Sequence, residues 1–150
     1  MLVREATHSD SSKITEYQLA MAWESEKLKL DPNIVRNGVE AVFLNSNYGF
    51  YLVAESNNNV IGCLLVVPEW SDWRNAQIWW IHSVYVAPDS RNRGVYKEMY
   101  SYLQKRVENS SKLCGLRLYV DKENRTAQKV YKKLKMNNDH YLLYEWLKNT

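Results

Sequence analysis

The sequence predicts an α/β fold of the α+β kind, with an antiparallel meander flanked by helices. Three observations carry this. The runs Phe50 to Ala54, Val60 to Val67 and Ala76 to Val86 are rich in β-branched and aromatic residues and follow one another across short polar turns. On either side of them the apolar spacing changes to three and four residues, the period of a helix. The chain has 150 residues and shows no repeat and no Gly/Pro/Ser-rich linker, so a single domain over 1–150 is expected.

Each element follows in order. Leu2 to Ala6 is short and partly alternating, a first strand, and Ser9 or Asp10 in the polar cluster behind it caps a helix. Ile14, Tyr17 and Met21 give that helix its apolar stripe. Asp31 caps a second helix, Pro32 suits its first turn, and Val35, Val39, Val42 and Phe43 line one side. Ser56-Asn57-Asn58-Asn59 joins the next two strands as a tight hairpin turn. A polar interval from Glu69 to Asn75 leads to the run AQIWWIHSVYV. After Ala87-Pro88-Asp89-Ser90, Val95, Met99, Tyr102 and Leu103 mark a helix to about Ser110. A strand at Leu116 to Val120, a helix capped by Asn124 with Ala127, Val130, Tyr131 and Leu134 inside, and a last strand or hairpin at Tyr141 to Trp146 complete the order.

Composition narrows the function classes. The opening MLVREATHSD lacks the apolar stretch of a secretory signal, and no segment approaches a membrane span, so a soluble cytoplasmic protein is expected, with no membrane partner. Cys63 and Cys114 lie far apart without metal-ligand spacing, which predicts buried free thiols and no metal. A formal charge of +3 spread along the chain argues against general nucleic-acid binding but suits a small anionic ligand.

The anion site is expected in Val84 to Tyr100, where a strand runs through a basic turn with one glycine into a helix. Main-chain N–H groups at the helix start point outward with the positive end of its dipole, Gly94 permits close approach, and Arg91 and Arg93 add charge. From this segment alone an ordinary strand-to-helix turn with solvated arginines reads equally well. One glycine satisfies neither the Walker loop nor the dinucleotide fingerprint.

The turn does resemble the acetyl-CoA loop of the GNAT superfamily of acyl-CoA N-acyltransferases, Q/R-x-x-G-x-G/A, with Arg91 and Gly94 in place after Val84-Tyr85-Val86-Ala87-Pro88. Tyr96 stands where the family usually has Gly or Ala. A second match follows in Asn124, Ala127 and Tyr131, and the order of elements agrees over almost the whole chain. The resemblance implies the GNAT fold: a mixed, mostly antiparallel central sheet flanked by helices and splayed between the fourth and fifth strands. It implies acetyl-CoA as donor cosubstrate, with Val84, Tyr85 and Val86 pairing with pantetheine, the loop Arg91, Asn92, Arg93, Gly94, Val95, Tyr96 and Lys97 taking the pyrophosphate, and Asn124 meeting pantetheine from the other side. Tyr131 becomes the acid that protonates the departing thiolate, against the ordinary role of a helix-stripe tyrosine in a core.

His82 is the candidate base, because its ordinary pKa suits proton exchange near neutrality. In diamine acetyltransferases, a branch that the chain resembles in places, an acidic residue stands at the corresponding position. A hydrogen-bonded core histidine is the competing reading. Glu69 and Asp72, among tryptophans, with Glu24 and Glu26 facing the same mouth, are candidates to bind a cationic acceptor, a small-molecule or peptide amine; a plain polar hairpin loop is the alternative. Lys129, Lys132, Lys133 and Lys135 form a basic face that meets a ribose phosphate or only solvent. The expected reaction is acetyl transfer by direct attack in a ternary complex. Its competitors are a non-catalytic acyl-CoA-binding module and a single-stranded nucleic-acid binder. The aromatic C-terminal strand also offers an edge for a homodimer.

Overall fold

The structure, a computed structural model, describes residues 1–148. Its regular elements are β1 (Leu2–Glu5), α1 (Ser11–Glu26), α2 (Pro32–Leu44), β2 (Phe50–Ser56), β3 (Asn59–Ser71), β4 (Ala76–Val86), α3 (Val95–Glu108), β5 (Leu113–Arg117) and α4 (Arg125–Lys133). The chain forms two compact units, Met1–Arg117 with all the strands and α1 to α3, and a shorter one from Leu118 onward that carries α4. No helix among the described residues is long and apolar enough to cross a membrane.

Local chemistry sets the element ends. Asp31 caps α2 by accepting hydrogen bonds from the Asn33 and Ile34 N–H groups at 2.8 and 3.3 Å. Lys27 ends α1 in the left-handed region at φ 54°. Asn57 and Asn58 both take positive φ, 50° and 60°, which matches the hairpin turn to the twist of β2 and β3. Gly49 lies at φ 114°, and a Cβ there would stand 1.9 Å from the Val66 carbonyl oxygen, so only glycine fits the entry to β2.

The five strands lie in the order β1-β2-β3-β4-β5. The first four pair antiparallel and β5 joins β4 in parallel, which makes the sheet mixed. Strand alternation sends Tyr51 and Val53 of β2, with Cys63 and Tyr85, against Ile14 and Tyr17 of α1 and Val39 of α2. On the opposite face α3 buries Val95, Met99 and Leu103, and Arg106 lies over the rings of Phe50 and Trp79. Each fully buried aliphatic side chain in these layers contributes roughly 1.5–3 kcal/mol relative to exposure.

Four expectations need correction. The strand placed at Leu116 to Val120 is observed at Leu113–Arg117. Apolar alternation continues through Val120, but pairing stops where β4 and β5 part, and hydrogen bonding rather than pattern sets the end. The Glu69 to Asn75 interval is only partly a loop, because β3 runs on to Ser71 with Glu69 opposite Ile78 and Trp70 opposite Gln77. Tyr141 to Trp146 is irregular instead of a last strand or hairpin. Cys63 is buried as expected, but Cys114 is exposed on β5, where its S–H donates to the Gln77 carbonyl at 3.3 Å.

One buried polar cluster ties β1 to its surroundings. Arg4 donates to both Asp10 oxygens at 2.8 and 3.1 Å and to Glu55 at 2.7 Å, and the Thr7 N–H also donates to Asp10. The Arg4 hydrogen bonds hold the Asp10 carboxyl below its ordinary 3.8. A depressed folded-state value means that the stabilisation is fully present above about pH 3.8 and is lost as pH falls below it. Asp10→Asn is expected to cost about 1–3 kcal/mol at pH 7. In urea titrations, the gap between parent and variant should narrow toward pH 2; a gap that stayed constant would show that the Asp10 charge contributes nothing.

Candidate active site

The strand β4 divides into two stretches. From Gln77 to Trp80 it pairs with β3 on one side and with β5, Leu113 to Arg117, on the other. Beyond Trp80 the ladder to β5 ends, and Ile81 to Val86 keep only β3. The sheet is therefore splayed between its fourth and fifth strands, with the main-chain edge of Val84, Tyr85 and Val86 turned toward the opening. At its centre Ser83 takes φ 53°, and the register to β3 shifts between Cys63 and Leu65. That is a β-bulge, which bends the strand where pairing with β5 has ceased. No sequence signal marks Ser83, since serine is not a residue that favours positive φ.

The basic turn follows directly. Pro88–Ser90 is one turn of tight helix, Asn92 and Gly94 lie in the left-handed region at φ 61° and 75°, and Gly94 is the N-cap of α3. The first bond of α3 runs from the Glu98 N–H to the Gly94 carbonyl at 3.0 Å, so the N–H groups of its first turn have no carbonyl within the helix. A Cβ on Gly94 would meet nothing within 4 Å, which leaves open space in front of this cradle. Left-handed residues alternating with ordinary ones make such a run of amides concave toward an anion. Arg93 and Lys97 are exposed beside it, and the Tyr96 ring lies 6.3 Å from that of Tyr100.

Arg91, which opens the loop, points back toward the sheet. Its Nε donates to the Val86 carbonyl at 2.9 Å and its terminal nitrogen to Glu24 at 2.6 Å, while its guanidinium lies 5.4 Å from the centre of the Tyr85 ring. Glu24 accepts a second bond from the Tyr85 hydroxyl at 2.7 Å. These bonds, Tyr85 first, hold the Glu24 carboxyl below its ordinary value, whereas burial together with Glu24 pushes the Tyr85 phenol up to about 12. Tyr85 also packs on Tyr17, whose hydroxyl donates to the Val60 carbonyl at 2.6 Å. The sequence contains no signal that pairs Glu24 with Arg91, because 67 positions separate them.

His82 lies on the other side of the bulge. It is half-buried, its ring stacks on the Trp80 indole at 6.1 Å and 19°, and burial lowers its pKa below 6.5. Arg117 covers Trp80 at 6.0 Å and donates to Glu69 at 2.9 Å. Trp80 and Arg117 are thus neighbours of the candidate base that sequence spacing did not single out. Glu24 and Glu69 do not face one mouth. Glu24 bonds Tyr85 and Glu69 stands opposite Ile78, seven positions earlier on β4 or roughly 20 Å along the strand. Glu26 is exposed at the end of α1, and Asp72 accepts from the Trp73 N–H in the β3–β4 turn.

In the shorter unit, Asn124 caps α4 by accepting from the Ala127 N–H at 3.0 Å. Tyr131 is half-buried on the same side of α4 as Ala127 and Leu134, and burial pushes its phenol above the ordinary 10.0. It therefore keeps its proton at neutral pH and is a donor. Lys129, Lys132, Lys133 and Lys135 are all exposed.

Comparison with known proteins agrees with this geometry. Residues 12–136 match the acetyltransferase (GNAT) family. The sequence matches none of the curated proteins. Among solved structures, a possible acetyltransferase from Clostridium difficile 630 is similar at 33% identity, over 99% of this chain and 98% of that one, with a TM-score of 0.92. A ribosomal-protein-alanine N-acetyltransferase from Brucella melitensis biovar Abortus 2308 shares the fold at 15% identity, over 98% and 100% of the two chains, with a TM-score of 0.78. So does AAC(6')-Iy in complex with the bisubstrate analog CoA-S-monomethyl-acetylneamine, at 14% identity, over 99% and 98%, with a TM-score of 0.74. With its splayed sheet, its basic turn and a family match over most of its length, the chain belongs to the acetyltransferase (GNAT) family.

Proposed function

We propose that this protein is an acetyl-CoA-dependent N-acetyltransferase that acts in the cytoplasm on a small-molecule or peptide amine. The observation that carries the reading is the open edge of β4, bounded by the end of the β5 ladder at Trp80 and by the amide cradle that starts α3. That donor set fits a CoA diphosphate: main-chain N–H groups, a left-handed glycine with space before it, and Arg93 and Lys97 alongside. Val84, Tyr85 and Val86 offer main-chain groups to pantetheine, and Asn124 is proposed to meet it from α4. When bound, acetyl-CoA supplies an acetyl group on a thioester, which an amine attacks directly in a ternary complex. Both similar structures with a named acceptor are consistent with an amine of either class.

An alkyl ammonium with a pKa near 10 is almost wholly protonated at pH 7 and must lose a proton before it can attack. His82 is proposed to take it, because burial keeps the imidazole neutral, with an acceptor nitrogen, at neutral pH. Tyr131 is proposed to return a proton to the departing thiolate. Glu26 and Asp72 are exposed carboxylates for the acceptor's charge, whereas Glu24 and Glu69 already hold Arg91 and Arg117.

Thiol release from acetyl-CoA across a panel of polyamines, amino acids, aminoglycosides and peptide N-termini tests the reading. Tight CoA binding with no release for any amine would leave a binding module in place of an enzyme. With an active amine, the acid limb of the kcat profile should follow one ionisation below pH 6.5, the direction in which burial moves His82. His82→Gln should flatten that limb and lower kcat by roughly 10²-fold with little change in CoA affinity. An unchanged limb in a folded His82→Gln enzyme would make the histidine structural and turn attention to Asp72 or Glu69 acting through water.

A further inference from the structure

The arginine that opens the basic turn is engaged on the sheet and not on the cradle. The Arg91 Nε donates to the Val86 carbonyl at 2.9 Å, a terminal nitrogen donates to Glu24 at 2.6 Å, and the Tyr85 ring lies 5.4 Å from the guanidinium. Arg93 and Lys97 are exposed and supply the charge beside the first turn of α3. Arg91 therefore has another task.

What it holds is the end of β4. The Ala87 N–H donates to the Ile61 carbonyl of β3 at 2.9 Å, and in an antiparallel ladder successive residues direct their main-chain groups to opposite edges. The Val86 carbonyl thus lies on the edge that faces the opening, beyond the end of the β5 ladder at Trp80, and the Arg91 Nε takes it there. This bond closes Val86 to Arg91 into a ring around one tight turn, in which the Ser90 N–H donates to the Ala87 carbonyl at 2.8 Å and the Arg91 N–H to the Pro88 carbonyl at 3.2 Å. Asn92 and Gly94, the left-handed residues that make the amides concave, follow at once. A long side chain loses much freedom when it is fixed, and one bond at the surface is a weak hold on it. Glu24 adds the second hold. Its carboxylate is itself fixed by the Tyr85 hydroxyl at 2.7 Å, and Tyr85 packs on Tyr17 of α1, so the chain of contacts ends in the core.

We propose that Glu24 is a positioning residue for the cofactor loop: through Arg91 it fixes the loop to the end of β4 in the shape that receives the CoA diphosphate, and it touches neither the cofactor nor the amine. This rests on the acetyl-CoA reading. Charge by itself predicts the opposite behaviour, because a carboxylate beside an anion site repels the anion and its removal should tighten binding. The sign of the effect therefore separates a brace from a mere neighbouring charge.

Calorimetry with CoA on folded variants is the test. Glu24→Ala should weaken binding by about tenfold, the loss of a preformed loop. Arg91→Met should do the same, and the double variant should be no weaker than either single one, since both break one brace. Tyr85→Phe keeps the ring under Arg91 and removes only the hydroxyl that fixes Glu24, so a smaller loss of about threefold is expected. With an active amine, the KM for acetyl-CoA in Glu24→Ala should rise by the factor seen in binding while kcat moves less than about twofold, a split that general loss of structure would not give. A parent that binds no CoA overturns the acetyl-CoA reading and this proposal with it. A parent that binds CoA, with Glu24→Ala equal to it or tighter, overturns the positioning role alone. So does a double variant whose loss is the product of the two single losses, because Arg91 and Glu24 would then act apart.

Discussion

Replacing Gly94 by glutamate should weaken CoA binding by about a hundredfold or more. Gly94 stands at φ 75°, where an L-residue costs about 1–2 kcal/mol, so the free loop relaxes away from the cradle and has to be restored when ligand binds. The added carboxylate then faces a diphosphate at the positive end of α3, a repulsion of about 1 kcal/mol or more even in water. Together these reach roughly 3 kcal/mol, or about two powers of ten in affinity. Gly94→Ala separates the parts, because it carries the backbone cost without the charge, and open space in front of Gly94 leaves no clash to confuse the result. Calorimetry with CoA on variants shown to be folded by circular dichroism is the measurement. Parent-like affinity in Gly94→Glu would remove this turn from the binding site.

Tyr131→Phe should lower kcat by about 10²-fold while leaving CoA affinity unchanged, the scale for one positioned general acid. The substitution keeps the ring on its side of α4 and removes only the hydroxyl. Because burial raises the phenol above 10.0, any loss of activity from its ionisation lies beyond that pH, and the parent profile should be flat from neutrality to the alkaline edge. Steady-state kcat, with chemistry shown to be rate-limiting by single-turnover release of thiol, decides the matter. A kcat equal to the parent's would return Tyr131 to a packing role.

Particular residues show how far the sequence could be read. Asp31 and Asn124 were recognisable as helix caps because capping depends on one side chain and the three residues after it. The Asn57-Asn58 turn was readable for the same local reason. The basic turn and Tyr131 could be singled out because their family pattern is local in sequence. What could not be read depends on distant partners. The end of β5 is set by where β4 leaves it, so its alternating pattern misplaced the strand by about three residues. The bond from Arg91 to Glu24 and the cover of Arg117 over Trp80 join segments far apart in the chain. The aromatic run after α4 has the composition of a strand and is irregular, because composition alone does not make one.

The bulge at Ser83 changes more than the direction of β4. In an unbroken strand side chains alternate strictly, so His82, Val84 and Val86 would share one face and Tyr85 would point to the other. Ser83 and Val84 together stand opposite a single residue of β3, and this resets the parity of the strand by one. Tyr85 therefore turns to the α1 side, as its packing on Tyr17 and its bond to Glu24 show, and shares that side with His82, which stands opposite Leu65 of the same core. One residue in the left-handed region thus brings the candidate base and the tyrosine that anchors the loop through Glu24 onto a common face. Removing Ser83 would leave only Val84 between His82 and Tyr85, so ordinary alternation would keep both on this face while the bend that the bulge gives to β4 was lost.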